Sequence, residues 1–311
     1  MSVHSSKKVI FAALIGNFLI FITKLSAAIW TNSSAMFSEA IHSMVDCGNQ
    51  MLLLYGIKKS SKDADKVHPF GYGMELYFWS FIVAMMVFAV GAGVSIYEGL
   101  NKIINPAEIN DIYINYIVLS VAIIFEAYPW KMAYQEFNAR RGDLSMVDAI
   151  HESKDPSLFA ILFEDTAALL GLAVAVIGLF IGDYYDIKEA DGIASVFIGL
   201  ILASTAGLLA YECKSLLIGE AADPILVQNI ANLFDNHPKV DNVNEVLTMH
   251  LGPNDILLNL SLDFKNSISA GEVESIITEF EQKIKQIHPQ IKRVFIEAQS
   301  RHGHNMNAKG E

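Results

Sequence analysis

The sequence predicts an all-α membrane domain of six helices followed by a small cytoplasmic α+β domain in αββαβ, ferredoxin-like order. Three observations predict it. Apolar runs of roughly 20 residues, the length needed to cross ~30 Å of hydrocarbon, recur in a chain of 311 residues that is 52% hydrophobic with a mean hydropathy of +0.35. Lysine and arginine concentrate at the amino terminus and in the second and fourth connections between those runs. After Glu220 the long apolar runs stop, and shorter helical and alternating patterns take over. The domains are therefore expected at 1–218 and 219–300, with 301–311 a disordered tail.

The six spans are expected at about 8–30, 33–57, 76–103, 112–134, 157–181 and 191–217. The start, Met1-Ser-Val-His-Ser-Ser-Lys-Lys8, runs into the first span without a small-residue cleavage pattern, so it reads as a span with cytoplasmic lysines rather than a signal peptide. The second span carries Glu39, His42, Asp46 and Asn49 as a polar stripe within an apolar run. The third is longer than a bilayer needs and should tilt or protrude; its Gly91-Ala-Gly93 allows a close helix approach. Pro129 lies inside the fourth and should kink it. Asp155-Pro156 reads as an N-cap and first helical residue opening the fifth. The positive-inside rule then places both termini in the cytoplasm.

In the tail, 224–237 has helical periodicity and 244–250 reads as a strand before the turn Gly252-Pro-Asn-Asp255. Alternation at 256–264 predicts a second strand, and Ser269-Ala-Gly-Glu272 is a capping box opening a helix to about Ile287. Residues 292–299 complete the set as a third strand. Both helices should pack on one side of a short sheet.

The chemistry lies inside the membrane. In His42-Ser-Met-Val-Asp46 an imidazole and a carboxylate stand four residues apart, on one helix face that Glu39 and Asn49 extend. Ionisable groups at membrane depth are costly and mark a cavity or an ion pathway; a polar stripe that only packs helices is the bland alternative. The fifth span carries Glu164-Asp165. Adjacent helical residues diverge by about 100°, so the two cannot point the same way, and at least one can meet the His42/Asp46 face if spans two and five are neighbours. One imidazole and up to three carboxylates make a candidate four-ligand site for a divalent cation. Glu98, Glu126, Asn17 and Lys24 either line the pathway or serve the span ends. Cys47 points away from Asp46 and reads as a structural thiol, and the two cysteines form no CxxC. A net charge of -12 argues against a nucleic-acid surface. The sequence holds no phosphate-loop motif, hence no nucleotide.

Asn32-Ser-Ser-Ala-Met-Phe-Ser-Glu-Ala-Ile-His-Ser-Met-Val-Asp46 resembles the second helix of the cation diffusion facilitator family. The likeness continues through His68-Pro-Phe-Gly-Tyr-Gly-Met-Glu75, the exit Ser215-Leu-Leu-Ile-Gly-Glu-Ala-Ala-Asp223 and the αββαβ tail. The resemblance implies a homodimeric transporter that exports zinc or a related divalent metal in exchange for protons, with no prosthetic group and no enzymatic activity. His42 and Asp46 match the second-helix ligands and Asp165 the fifth-helix aspartate. The histidine expected four residues before it is Ile161, with Glu164 the nearest substitute, as in a divergent branch carrying Glu-Asp there. Such an oxygen-rich site tilts toward manganese, iron or cobalt without excluding zinc, the metal expected first. His68 matches one metal ligand of the loop after span two, but the second is Tyr72. Tail positions that hold histidine in relatives read Asn244, Glu297 and Gln299, which leaves His250, His302 and His304 as candidates.

Metal binding to neutral imidazole and ionised carboxylates displaces protons, which would couple export to the proton gradient. His42 is the group whose ordinary titration falls nearest physiological pH. An intramembrane metalloenzyme is a rival reading, weakened because His-Glu-x-x-His is missing; a non-transporting scaffold subunit is another. A bacterial inner membrane is the expected location.

Overall fold

The computed structural model of the chain describes residues 3–107, 109–142, 144–235 and 237–307. It divides into two compact units, Met1–Lys58 with Leu76–Lys214, and Lys59–Glu75 with Ser215–Glu311.

The first unit is built from long helices: α1 (Val3–Thr31), α2 (Ser34–Ser60), α3 (Glu75–Met86), a π-helical segment (Val87–Ala92), α4 (Gly93–Ile104), α5 (Ile112–Arg141), short α6 (Met146–Glu152), α7 (Pro156–Tyr185) and α8 (Ala190–Ile218). Among the described residues, Glu75–Ile104, Ile112–Ala139, Phe159–Tyr185 and Ala190–Ile218 are long and apolar enough to cross a membrane. In α1 the apolar stretch Asn17–Thr31 is shorter. At 27 residues α2 reaches about 40 Å, but its polar stripe lowers its hydropathy. Large apolar side chains such as Ile29, Ile117, Phe125 and Phe180 lie exposed on the outside of this unit, the surface that lipid covers. The core inside is aliphatic, with Met36, Val45, Leu119, Leu172, Leu179, Ile198 and Leu202 buried together.

One span differs from the sequence reading. The long third helix is interrupted by six π-helical residues, whose widened register is closed by the Gly93 N–H donating to Phe88 O. Farther along, α4 and α8 touch backbone to backbone. A Cβ on Gly99 would stand 2.7 Å from Gly192 O, and one on Gly192 would stand 2.8 Å from Gly99 O. Only glycine permits that approach.

The connection between α1 and α2 is held from outside itself. Asn32 adopts a left-handed conformation, φ 58°, and its carbonyl accepts from Lys102 Nζ at 2.6 Å. Ser33 Oγ caps α2 locally by accepting from the Met36 N–H at 3.2 Å, and Asp191, buried at the start of α8, adds a second cap from outside. Its carboxylate accepts from Ser33 Oγ (2.6 Å), Ser34 N (2.5 Å), Ser34 Oγ (2.9 Å) and Ala35 N (3.3 Å).

The second unit comprises α9 (Pro224–Asp235), β1 (Val240–Gly252), β2 (Asp255–Phe264), α10 (Ala270–Ile287), β3 (Ile291–Ala298) and α11 (Arg301–Asn307). The sheet order is β1-β2-β3, with β1–β2 antiparallel and β2–β3 parallel. The αββαβ order is as expected. Alternation along β2 buries Ile256, Leu258, Leu260 and Leu262 against Ile230, Phe234, Ile276, Phe280 and Ile284 of the two helices. Phe234 and Phe280 pack with ring centroids 4.2 Å apart. The capping box is complete: Ser269 Oγ accepts from the Glu272 N–H, and Glu272 accepts from the Ser269 N–H.

The end beyond residue 300 corrects the expectation of disorder. α11 forms there because Asp263 accepts from the Arg301 N–H at 2.9 Å and Ser300 accepts from the Gly303 and His304 N–H groups. The last four residues of the expected tail lie outside the described ones.

Candidate metal site

Helical spacing puts Glu39, His42, Asp46 and Asn49 on one face of α2, and that face is turned inward. Glu39 and Asn49 are fully buried and His42 is 1% exposed. His42 Nδ1 stands 3.5 Å from Asp46 Oδ1. Neither imidazole nitrogen has a hydrogen-bond partner, nor does Asp46 Oδ1, and all three are buried. Unsatisfied buried polar atoms are rare and costly, so a cluster of them calls for a missing partner.

Helix α7 approaches the same face. Asn49 Nδ2 donates to Glu164 Oε1 at 2.9 Å, which ties α2 to α7. Glu164 is buried, whereas Asp165 is more open, with its Oδ2 still buried and unpartnered. Asp46 lies within electrostatic reach of Glu164, Glu126, Lys24 and Asp165. The helix therefore turns Glu164 inward more fully than Asp165, as their divergence requires. Among the described residues no three His, Cys, Asp or Glu side chains are gathered closely enough to hold a metal ion. His42 and Asp46 are brought together and Glu164 is hydrogen-bonded to their helix; the four are not drawn into one closed shell. Ile161, where the family pattern has histidine, is 41% exposed.

Two further charged residues belong to this buried region. Lys24 of α1, fully buried, donates to Glu39 Oε2 at 3.1 Å and to Ser43 Oγ at 2.9 Å, and lies 4.0 Å from Glu126 Oε1 of α5. The sequence showed Lys24 and Glu126 as undecided polar residues in apolar spans. The signal that pairs them, a lysine and two carboxylates in separate spans, has no local spacing to betray it.

The loop candidate, His68, is engaged by its own neighbours. Its ring stacks on Tyr72 with centroids 4.2 Å apart, and Nδ1 stands 3.9 Å from Asp65 Oδ1. Asp65 accepts from the backbone N–H groups of His68 and Val67 and from the Tyr72 hydroxyl. Donation from the His68 N–H, then from Tyr72, holds the Asp65 carboxyl below its ordinary range. In the tail, Asn244 donates to Gln299 O at 2.8 Å and Glu297 is exposed. His250 is buried with Nδ1 3.2 Å from Gly252 O, and His304 Nδ1 lies 3.3 Å from Gln299 Oε1.

Residues 10–218 match the cation efflux transmembrane domain. The chain belongs to the cation efflux family. Residues 222–299 match the family's second part, the cation efflux protein cytoplasmic domain. Among characterised relatives, the human mitochondrial proton-coupled zinc antiporter SLC30A9 is 33% identical over 263 residues, covering 84% of this chain and 46% of the human protein. Metal tolerance protein C4 of Arabidopsis thaliana is 29% identical over 266 residues, 85% of this chain and 58% of the plant protein. The manganese efflux system protein MneP of Bacillus subtilis is 25% identical over 295 residues, 94% of this chain and 95% of MneP. The chain thus spans about half the length of the human antiporter.

Proposed function

We propose that this cation efflux protein is a secondary active transporter that carries a divalent transition metal out of the cytoplasm in exchange for protons. The observation that carries the reading is the set of buried donors without partners, both nitrogens of His42, Asp46 Oδ1 and Asp165 Oδ2, on two helices tied by Asn49 and Glu164. Apolar packing gives no reason to leave those atoms unsatisfied, whereas a cation that comes and goes does. His42, Asp46, Asp165 and Glu164 form the transport site, with the metal as substrate. Drawing the four into one shell requires a small shift of α7 against α2, the kind of helix movement on which transport depends.

Zinc is the first candidate metal, supported by the zinc antiporter relative, and the manganese efflux relative agrees with an oxygen-rich donor set. Metal loading requires unprotonated imidazole and carboxylates, so loading and protonation exclude one another and couple the two flows. The protein acts as a homodimer in a bacterial inner membrane with both termini cytoplasmic, and His68 stays a loop residue held by Asp65 and Tyr72 rather than a ligand.

The test is flux into proteoliposomes under an imposed pH gradient, run with zinc, manganese, iron, cobalt and cadmium. The intact protein should move at least one of them in a gradient-dependent way, and Asp46→Asn should reduce that flux to the level of empty vesicles. Undiminished flux through Asp46→Asn removes that residue from the site.

A further inference from the structure

One turn before His42 on the same face of α2, a second set of carboxylates surrounds a charge that belongs to the chain itself. Glu39 is fully buried, and only one of its oxygens is satisfied: Oε2 accepts from Lys24, while Oε1 has no hydrogen-bond partner. That free oxygen lies against α7, where a Cβ on Gly171 would overlap it. Glu126 Oε1 from α5 lies 4.0 Å from the ammonium, and Ser43 Oγ accepts its third contact. Two carboxylates from different helices and a hydroxyl converge on one fully buried cation, and one of those carboxylates keeps a buried oxygen without a partner. Oxygen donors of this kind also suit a hard divalent cation.

We propose that Glu39, Glu126 and Ser43 form a second cation station beside the transport site, and that Lys24 occupies it as a tethered cation, which limits each chain to one bound metal ion. This rests on the transport reading, since it concerns how many ions that pathway loads. A mobile divalent ion at Glu39 would sit about one helical turn, ~5 Å, from the one at His42 and Asp46, and two such ions repel strongly where little water screens them. The ammonium removes that competitor: it neutralises the carboxylates and, bonded to its own side chain, cannot travel down the pathway. A lysine that served only to pin helices would need no buried oxygen left without a partner on the carboxylate it holds.

The experiment counts divalent ions bound per chain by equilibrium dialysis of the purified full-length protein with manganese or zinc. Lys24→Met should bind one more ion than the unaltered protein, and Lys24→Met/Glu39→Gln should return to the original number. Lys24→Arg, which keeps a tethered cation, should bind the original number. Lys24→Gln keeps a hydrogen-bond donor without the charge and should gain the same additional ion, so it serves where the methionine variant does not purify. Equal stoichiometry in Lys24→Gln, Lys24→Met and the unaltered protein overturns the proposal. Asp46→Asn separates the two readings: loss of one ion there, with no gain on neutralising Lys24, leaves the transport site standing and removes only the lysine-filled station. No loss in Asp46→Asn removes the transport site itself.

Discussion

The helical unit and the sheet-bearing unit treat buried polar atoms in opposite ways. Among the described residues, every buried side-chain nitrogen or oxygen without a hydrogen-bond partner lies in the helical unit, on Glu39, His42, Asp46, Asn49, Gln50, Ser80, Ser95, Asn115 and Asp165. In the sheet-bearing unit the comparable buried groups are satisfied: Ser261 is shared between Asn244 and Gln299, and His250 meets Gly252 O. The helical unit has the stronger reason to satisfy them, because lipid offers no water in compensation. That it leaves so many donors of the metal-binding type open on α2 and α7 shows that region to be built for something other than its own stability. The tail is built to fold.

The sharpest way to break this contrast is to remove an orphan. His42→Leu deletes two unpartnered nitrogens and leaves a side chain of similar bulk, so metal flux should fall to background while the thermal midpoint of the metal-free protein stays level or rises. A steep drop in that midpoint would show His42 to be a packing residue. Phe280→Ala should do the reverse. It opens a cavity against Phe234 and costs the tail about 3–5 kcal/mol, so hydrogen exchange in β2 should accelerate strongly.

Asn49→Ala tests the tie between α2 and α7. It removes the hydrogen bond from Asn49 to Glu164 without touching a proposed ligand. Outer partners of this sort are worth about 10- to 100-fold in metal affinity, so competition with a fluorescent chelator should show a weakening of that size. An unchanged affinity would mean Glu164 finds its place without α2. A smaller effect is expected from Ser269→Ala, which removes the N-cap of α10 and should cost roughly 1 kcal/mol.

What could be read from the residues follows the range of the physical signal. The capping box at Ser269, the alternation from Ile256 to Leu262 and the i, i+4 pair of α2 are local patterns, and all are in the structure. β1 runs from Val240 rather than from about 244, because its register shifts between Val240 and Asn242 and again between Val243 and Glu245 blur the alternation. The π-helical segment has no sequence signature, since packing rather than propensity sets that register. The cap that Asp191 places on α2 and the Lys24–Glu39 pair join residues far apart in the chain. Glu164 is more buried than Asp165 because of how α7 is rotated, which adjacency in sequence does not specify. The short helix after Gln299 arises from Asp263, a strand residue that nothing nearby connects to the chain end.

The mildest test concerns pH, and it falls on the unit whose polar groups are satisfied. Donation from Lys239, reinforced by the Ser269 N–H and hydroxyl, holds the Glu272 carboxyl down at about 2. An unfolded glutamate titrates near ~4.3. Between those values the folded state keeps Glu272 ionised while the unfolded chain takes up the proton, so its contribution to stability is complete above the unfolded value and is lost as pH falls toward 2. Glu272 is a surface residue paired with an exposed lysine, so the effect is small and weakens further in salt. Amide exchange at the start of α10 should therefore lose protection on acidification from pH 5 to 3, after correction for intrinsic rates. Glu272→Gln, which cannot titrate, should flatten that response while leaving metal binding in the helical unit unchanged; a response equal to that of the unaltered protein would place the acid-sensitive group elsewhere in the tail.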